Sequence, residues 1–117
     1  MTLNEVSGRF RISTEKLKSY EESGLLRHQS LEDGTFDYTE TELRRIGLIH
    51  SLLKSGMETE ELRKYLRLID DENGSKEEQV LLLRKQRCRL LEDIHDKQQT
   101  LDELDYMIRE TKTGHEQ

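Results

Sequence analysis

Apolar residues fall at helical spacing through most of the chain. Leu3, Val6 and Phe10 share one face, with Thr2 placed to cap the helix that carries them. Leu17 and Tyr20 follow Ser13, a second N-cap, with Ile12 just before it. Gly24 closes that segment where a residue of positive φ is wanted. The spacing therefore predicts two short helices joined by a tight turn, a helix-turn-helix. Asp33-Gly34 is a strong two-residue turn, flanked by Leu31 on one side and by Thr35, Phe36 and Tyr38 on the other, and predicts a small β-hairpin. Thr39 and Glu42 form a capping box that opens a helix carrying Leu43, Ile46, Leu48, Ile49, Leu52 and Leu53, which Gly56 stops. A fourth helix starts at Thr59 or Glu58 and carries Leu62, Tyr65, Leu66 and Ile69.

Asp70 to Ser75 (DDENGS) is polar, contains Asn73-Gly74, and reads as a linker. Ser75 caps the longest predicted helix, over 76–112. Its seam runs Val80, Leu83, Arg87, Leu90, Ile94, Lys97, Leu101, Leu104 and Ile108, alternating spacings of three and four as a coiled coil requires. Such a helix would extend about 55 Å, longer than a 70-residue domain is wide. The apolar seam positions Val80, Leu83, Leu90, Ile94, Leu101, Leu104 and Ile108 are therefore expected to meet the same helix of a second copy. Arg87 and Lys97 in that seam act either as specificity devices or as signs of antiparallel pairing, with Glu92, Asp93, Asp96 and Asp102 available as partners. The expected organisation is a helix-turn-helix and hairpin unit over 1–70, a linker over 71–75, a dimerisation helix over 76–112 and a tail over 113–117. The fold class is mainly α.

Composition narrows the picture. Only 32% of the residues are hydrophobic and 38% are charged, so the core is thin and a partner subunit would help to complete it. The longest apolar run, Val80 to Leu83, is far short of a membrane span, and the N-terminal MTLNEVSG lacks the basic and apolar regions of a signal peptide. A soluble cytoplasmic protein without a membrane partner is the expectation. The net charge of −6 means that any polyanion must be met by a local patch. Arg9, Arg11, Lys16, Lys18 and Arg27 are the basic residues of the first 40, read either as a reduced DNA patch or as scattered surface charge. Cys88 lies next to Arg87 and near Arg84 and Arg89, which could lower its pKa, although a lone helical cysteine is more often a passive residue. His28, His50, His95 and His115 have no helical partner at metal-ligand spacing, and no nucleophile motif, phosphate loop or catalytic carboxylate pair occurs. Neither an enzyme nor a cofactor or metal protein is expected. With helices this short, little room is left for an internal pocket, so a small-molecule effector has no evident place.

The order of elements, with Leu3, Glu5, Val6, the STEKLKSYEESGLL block from Ser13 to Leu26, Asp33-Gly34, Tyr38-Thr39, Leu43, the Leu48 to Leu53 stretch and KSGMETEELRKYL from Lys54 to Leu66, resembles the MerR family of bacterial transcription regulators. TLDELDYMI, from Thr100 to Ile108, is similar to the end of that family's dimerisation helix. The resemblance implies a winged helix-turn-helix acting as a homodimer. Its two recognition helices would enter successive major grooves of promoter DNA, the wings would grip phosphates, and RNA polymerase would be a further contact. It implies DNA-binding roles for Arg11, Thr14, Lys16, Lys18, Ser19, Tyr20, Arg27, Thr35 and Phe36. Tyr20, Phe36, Tyr38 and Tyr65 read either as an aromatic ligand pocket or as core, and the apolar helical faces of Tyr20 and Tyr65 favour core for those two; Phe36, if exposed, suits a minor groove or a protein contact.

The sequence departs from the family pattern at several charged positions. Lys18-Ser19-Tyr20 stands for an Arg-Tyr-Tyr run, Glu15 for an arginine, Ser30 for the wing arginine before the turn, and Thr35-Phe36, followed by Asp37, for a Tyr-Arg pair. Each lost phosphate contact weakens binding to any DNA sequence and lowers its salt dependence. These departures motivate a second reading, in which the fold is kept and the protein serves as a protein-interaction module.

Overall fold

The computed structural model describes residues 1–26, 29, 30 and 36–114. Its elements are α1 (Leu3–Phe10), α2 (Thr14–Glu22), β1 (Gln29–Ser30), β2 (Phe36–Asp37), α3 (Glu40–Lys54), α4 (Thr59–Asp70) and α5 (Lys76–Thr113). The expected Asp33-Gly34 turn, Arg27, Thr35, His28, His115 and the Phe36 side chain lie outside the described residues.

Short polar side chains set most of the helix starts. The Thr2 hydroxyl accepts the Glu5 amide and the Glu5 carboxylate reaches back to Thr2, completing a capping box. Ser13, Thr39 and Ser75 accept the amides of Lys16, Glu42 and Glu78 in the same way. Glu58 occupies the fourth N-cap without a side-chain bond, so α4 begins at Thr59 with its first turn less firmly closed. Gly24 and Gly56 both have positive φ, +80° and +93°, and end α2 and α3 as the sequence leads one to expect. The long helix runs one residue beyond its expected end and into the expected tail, to Thr113, and Gly114 caps it in the left-handed conformation.

The core lies where α1, α2, α3 and α4 converge. Val6, Leu17, Ile46, Ile49 and Leu62 are sealed from water, and Met57 in the α3–α4 turn joins them. Ile12 and Leu17, at the positions flanking the Ser13 cap, are both buried and fix the angle at which the chain enters α2. β1 pairs antiparallel with β2, Gln29 opposite Asp37 and Ser30 opposite Phe36. The Tyr38 amide donates to the Met1 carbonyl at 2.8 Å, and the Met1 ammonium reaches Asp37 Oδ1 at 3.0 Å, which holds the exit of β2 beside α1.

α5 is different. It spans about 57 Å at ~1.5 Å per residue, which makes the molecule 70 Å long and only 19 Å across its thinnest axis. Among the described residues its first turns meet the rest of the chain, through Gln79, Leu82, Gln86 and Arg89. The Gln86 side chain is 4% exposed and donates from Nε2 to the Ser55 carbonyl at the end of α3, at 2.8 Å. Arg89 bonds Glu61 of α4 at 2.7 Å, and that bond is the main cause of a raised Arg89 pKa. Gly74 makes the approach possible, because a Cβ there would collide with the Leu68 carbonyl oxygen.

Candidate nucleic-acid interface

The turn between α1 and α2 is held twice by one serine. The Ser7 hydroxyl donates to the Ile12 carbonyl at 2.6 Å, and the Ile12 amide donates to the Ser7 carbonyl at 3.2 Å. Between them Arg11 sits in the left-handed region at φ +56°, the sole non-glycine residue with positive φ among the described residues. A side chain there costs about 1–2 kcal/mol relative to a relaxed backbone. No turn signal in the sequence marks it, because glycine, asparagine or aspartate is the usual occupant.

α2 has two unlike faces. Leu17 and Tyr20 are buried, whereas Glu15, Lys16, Lys18, Ser19 and Glu22 are exposed, and Thr14 is half-exposed at the N-terminus. Arg11, Lys16 and Lys18 are all exposed, Arg11 in the turn and the two lysines, two residues apart, on opposite flanks of the open side of α2. Glu15 and Glu22 share that surface, so its charge is mixed. The Ser19 hydroxyl donates back to the Lys16 carbonyl at 2.7 Å.

Tyr20 corrects one expectation. Assigned to the DNA-contacting set by resemblance, it instead belongs to the core, with its hydroxyl 3.4 Å from His50 Nδ1 on α3. Burial pushes its pKa above the ordinary value, so the phenol stays neutral. Three residues after Leu17, it falls on the apolar side of a helix whose other side is polar. Its part is to hold α2 against α3.

A second phenol ties the strand exit to the same helix. Tyr38 is buried, and its hydroxyl donates to Glu21 Oε1 at 2.6 Å. Burial first, then the Glu21 bond and the nearby Glu42 charge, push the Tyr38 pKa far above its ordinary value. The hydroxyl thus stays protonated, and a donor to Glu21, at neutral pH. The sequence places Tyr38 beside the hairpin; its bond to a carboxylate 17 residues earlier was not legible there.

The seam of α5 is open. Exposure runs from 36% at Leu83 to 53% at Ile94 and Ile108, with Val80, Leu90, Leu101 and Leu104 between. The helix instead docks on its own domain by the neighbouring face, 79/82/86/89, itself spaced three, four and three. That second face was missed in the sequence because two of its four members are glutamines and one is an arginine. Cys88 is exposed. Among the described residues no group of three or more His, Cys, Asp or Glu could hold a metal ion, and no helix is long and apolar enough to cross a membrane.

The family model of the MerR HTH family regulatory protein matches residues 1–69, which takes in both helices of the helix-turn-helix, the strand pair and α3 with nearly all of α4. The chain belongs to the MerR family. Among solved structures, a MerR family transcriptional regulator from Listeria monocytogenes superposes with a TM-score of 0.83 at 29% identity, over 97% of this chain and 86% of that one. HiNmlR, a MerR family regulator lacking the sensor domain and bound to promoter DNA, gives 0.86 at 22% identity, over 96% and 86%. A MerR family regulator from Bacillus thuringiensis gives 0.82 at 19% identity, over 94% and 97%. No curated protein sequence matches the chain. The likeness to the three MerR structures extends through α5, so the long unaccompanied helix belongs to the fold and not to an appendage of this chain.

Proposed function

We propose that this MerR protein is a homodimeric transcription regulator that binds promoter DNA, with α2 in the major groove and the β1–β2 pair as a wing on the backbone. The observation that carries the reading is the two-faced α2: a core-locked side, and an open side presenting Arg11, Thr14, Lys16, Lys18 and Ser19, in a fold whose relative HiNmlR is bound to promoter DNA. Arg27, Thr35 and Phe36 belong to the wing in this reading. The head over 1–70 reads the DNA, residues 71–75 link, and residues 76–112 dimerise. RNA polymerase in the cytoplasm is the machinery that such a promoter complex would serve.

The dimer is antiparallel. Along α5 the stretch from Arg84 to Arg89 holds four cations, whereas Glu92 to Asp105 holds six carboxylates against the single Lys97. Parallel helices in register would set Arg87 against Arg87 and Lys97 against Lys97 in the seam. Antiparallel helices set the basic stretch against the acidic one, and the apolar seam residues Val80, Leu83, Leu90, Ile94, Leu101, Leu104 and Ile108 close over one another.

The test is a titration of the protein with DNA from upstream of its own gene, at about 50 and 200 mM salt with competitor present. Binding that resists competitor and weakens steeply with salt is expected. The double variant Lys16→Ala, Lys18→Ala should keep the dimer and lower the salt slope by about four, two contacts in each of two subunits. Unchanged binding in that variant would refute the assigned face. A folded dimer with no affinity for any DNA at low salt, but a salt-independent affinity for another protein, would replace this function with the interaction module that Glu15 and Glu22 on the same face favour.

A further inference from the structure

α5 has two working faces, and the angle between them decides what a second copy can reach. One, formed by Gln79, Leu82, Gln86 and Arg89, is occupied by the chain's own head. The other is the seam from Val80 to Ile108, whose apolar members are exposed. In heptad terms the seam residues are a and d, and Gln79, Gln86, Asp93, Thr100 and Met107 are g. The g row borders the seam on the side of the head. Reversing one helix against its copy brings g beside g and e beside e.

Reversal leaves the register open, and the charges select it. In one register that packs a against d, Arg87 faces Lys97 of the partner subunit and Asp93 faces the partner's Asp93, like charge on like. The basic stretch from Arg84 to Arg89 then meets only one acid, the partner's Asp96, beside the partner's Lys97. A slide of one heptad changes this. Leu83 faces Ile108 of the partner subunit, Arg87 the partner's Leu104, Leu90 the partner's Leu101, and Ile94 the partner's Lys97. Arg84 now stands at e opposite the partner's Asp105, and the basic stretch meets the partner's Asp102, Glu103 and Asp105 with no cation among them. The first register gains one apolar pair, Leu91 on the partner's Leu91, but puts two like-charged pairs into the seam, where burial makes them costly.

The shape of α5 agrees. A groove lined by Leu90, Asp93, Ile94, Lys97, Gln98 and Leu101 is centred midway between Leu90 and Leu101. The two-fold axis of the second register passes through that midpoint, so the groove is met by its own copy. In the first register the axis falls at Glu92, which does not line the groove.

We propose that two copies pair in the second register, and that the joint between head and α5 is completed by the other copy: Met107 of the partner subunit, at g, comes opposite Gln86, beside Ser55 and Gly56 at the end of α3. In the single chain Met107 is 58% exposed. The inference rests on the antiparallel dimer proposed above and adds to it a contact outside the seam. Each helix tip thereby holds the other copy's head.

The experiment is disulfide trapping in the full-length chain, with Cys88→Ser as background. Leu90→Cys with Leu101→Cys should give a covalent dimer on a non-reducing gel, because facing seam positions come within disulfide reach. Leu90→Cys with Ile94→Cys, which face one another in the first register, should not. Leu90→Cys alone, which a parallel dimer would trap, should not either. Arg84→Asp should weaken the dimer about tenfold, since two pairs per dimer turn from attraction to repulsion, and adding Asp105→Arg should restore it. Met107→Ser should keep the dimer and speed hydrogen exchange around Gln86 severalfold. Trapping by the Leu90–Ile94 pair, or a charge swap that restores nothing, would overturn the register while leaving the dimer standing. Unchanged exchange in Met107→Ser would overturn the completed joint. A monomer in light scattering of the unaltered chain would remove the dimer itself, and this inference with it.

Discussion

The head and the long helix use leucine in opposite ways. Fourteen hydrophobic residues are buried among those described, and all lie in the first 66 positions. Across the 38 residues of α5 the only buried residue is a glutamine, while Val80, Leu83, Leu90, Ile94, Leu101, Leu104 and Ile108 stand open to water. The difference lies in where the periodic faces point. In the head, four short helices turn their apolar faces inward on one another. In α5 a single apolar stripe, broken only by Arg87 and Lys97, has no later element in the described chain to cover it. An exposed apolar stripe of this length marks an interaction surface: the head carries its own core, and in the proposed dimer a second copy would supply one to the helix.

The contrast can be broken first at the helix. The double substitution Ile94→Glu, Leu101→Glu places charge at the centre of the seam, where each carboxylate would cost several kcal/mol if buried. Light scattering should find a monomer, with the head's melting transition retained. A dimer that survives both changes would place the contact elsewhere. The same contrast is broken from the other side by Leu17→Ala. It opens a cavity beneath α2 and should destabilise the head by about 3 kcal/mol, read from chemical denaturation, with little loss of α5 helicity in the dimer.

Two smaller changes sharpen the comparison at its junctions. Gln86→Ala removes the amide that binds the Ser55 carbonyl and should cost about 1–2 kcal/mol. Its particular signature is faster hydrogen exchange at the start of α5 without loss of dimer. Arg11→Gly relieves the left-handed turn and should stabilise the head by about 1 kcal/mol while reducing DNA affinity. A gain in stability with no change in DNA binding would show that the arginine has no role there.

Local rules made most of the architecture legible. Thr2, Ser13, Thr39 and Ser75 are caps because a hydroxyl one turn before an orphaned amide has little else to do, and each is observed as such. Gly24 and Gly56 mark their helix ends for an equally local reason. What stayed hidden depends on residues far apart in the chain. Gln86 looks like a solvated helix position until the α3 terminus is brought to it. Tyr20 carries a family role that its own apolar spacing contradicts, and the spacing wins. Arg11 marks another limit of propensity: the Ser7 clamp over-determines the turn, so a residue poorly suited to it is held there.

The bond from Gln86 to the end of α3 works as an index pin between two rigid parts. Moving α5 by one residue would raise it only about 1.5 Å but rotate it about 100°, turning the stripe of leucines away from its present heading. In the proposed dimer the pin would therefore fix the compass bearing at which a second copy docks, and with it the direction in which that copy's α2 faces. Operator spacing, in the proposed dimer, would be written partly in one buried amide that touches neither the DNA nor the dimer seam.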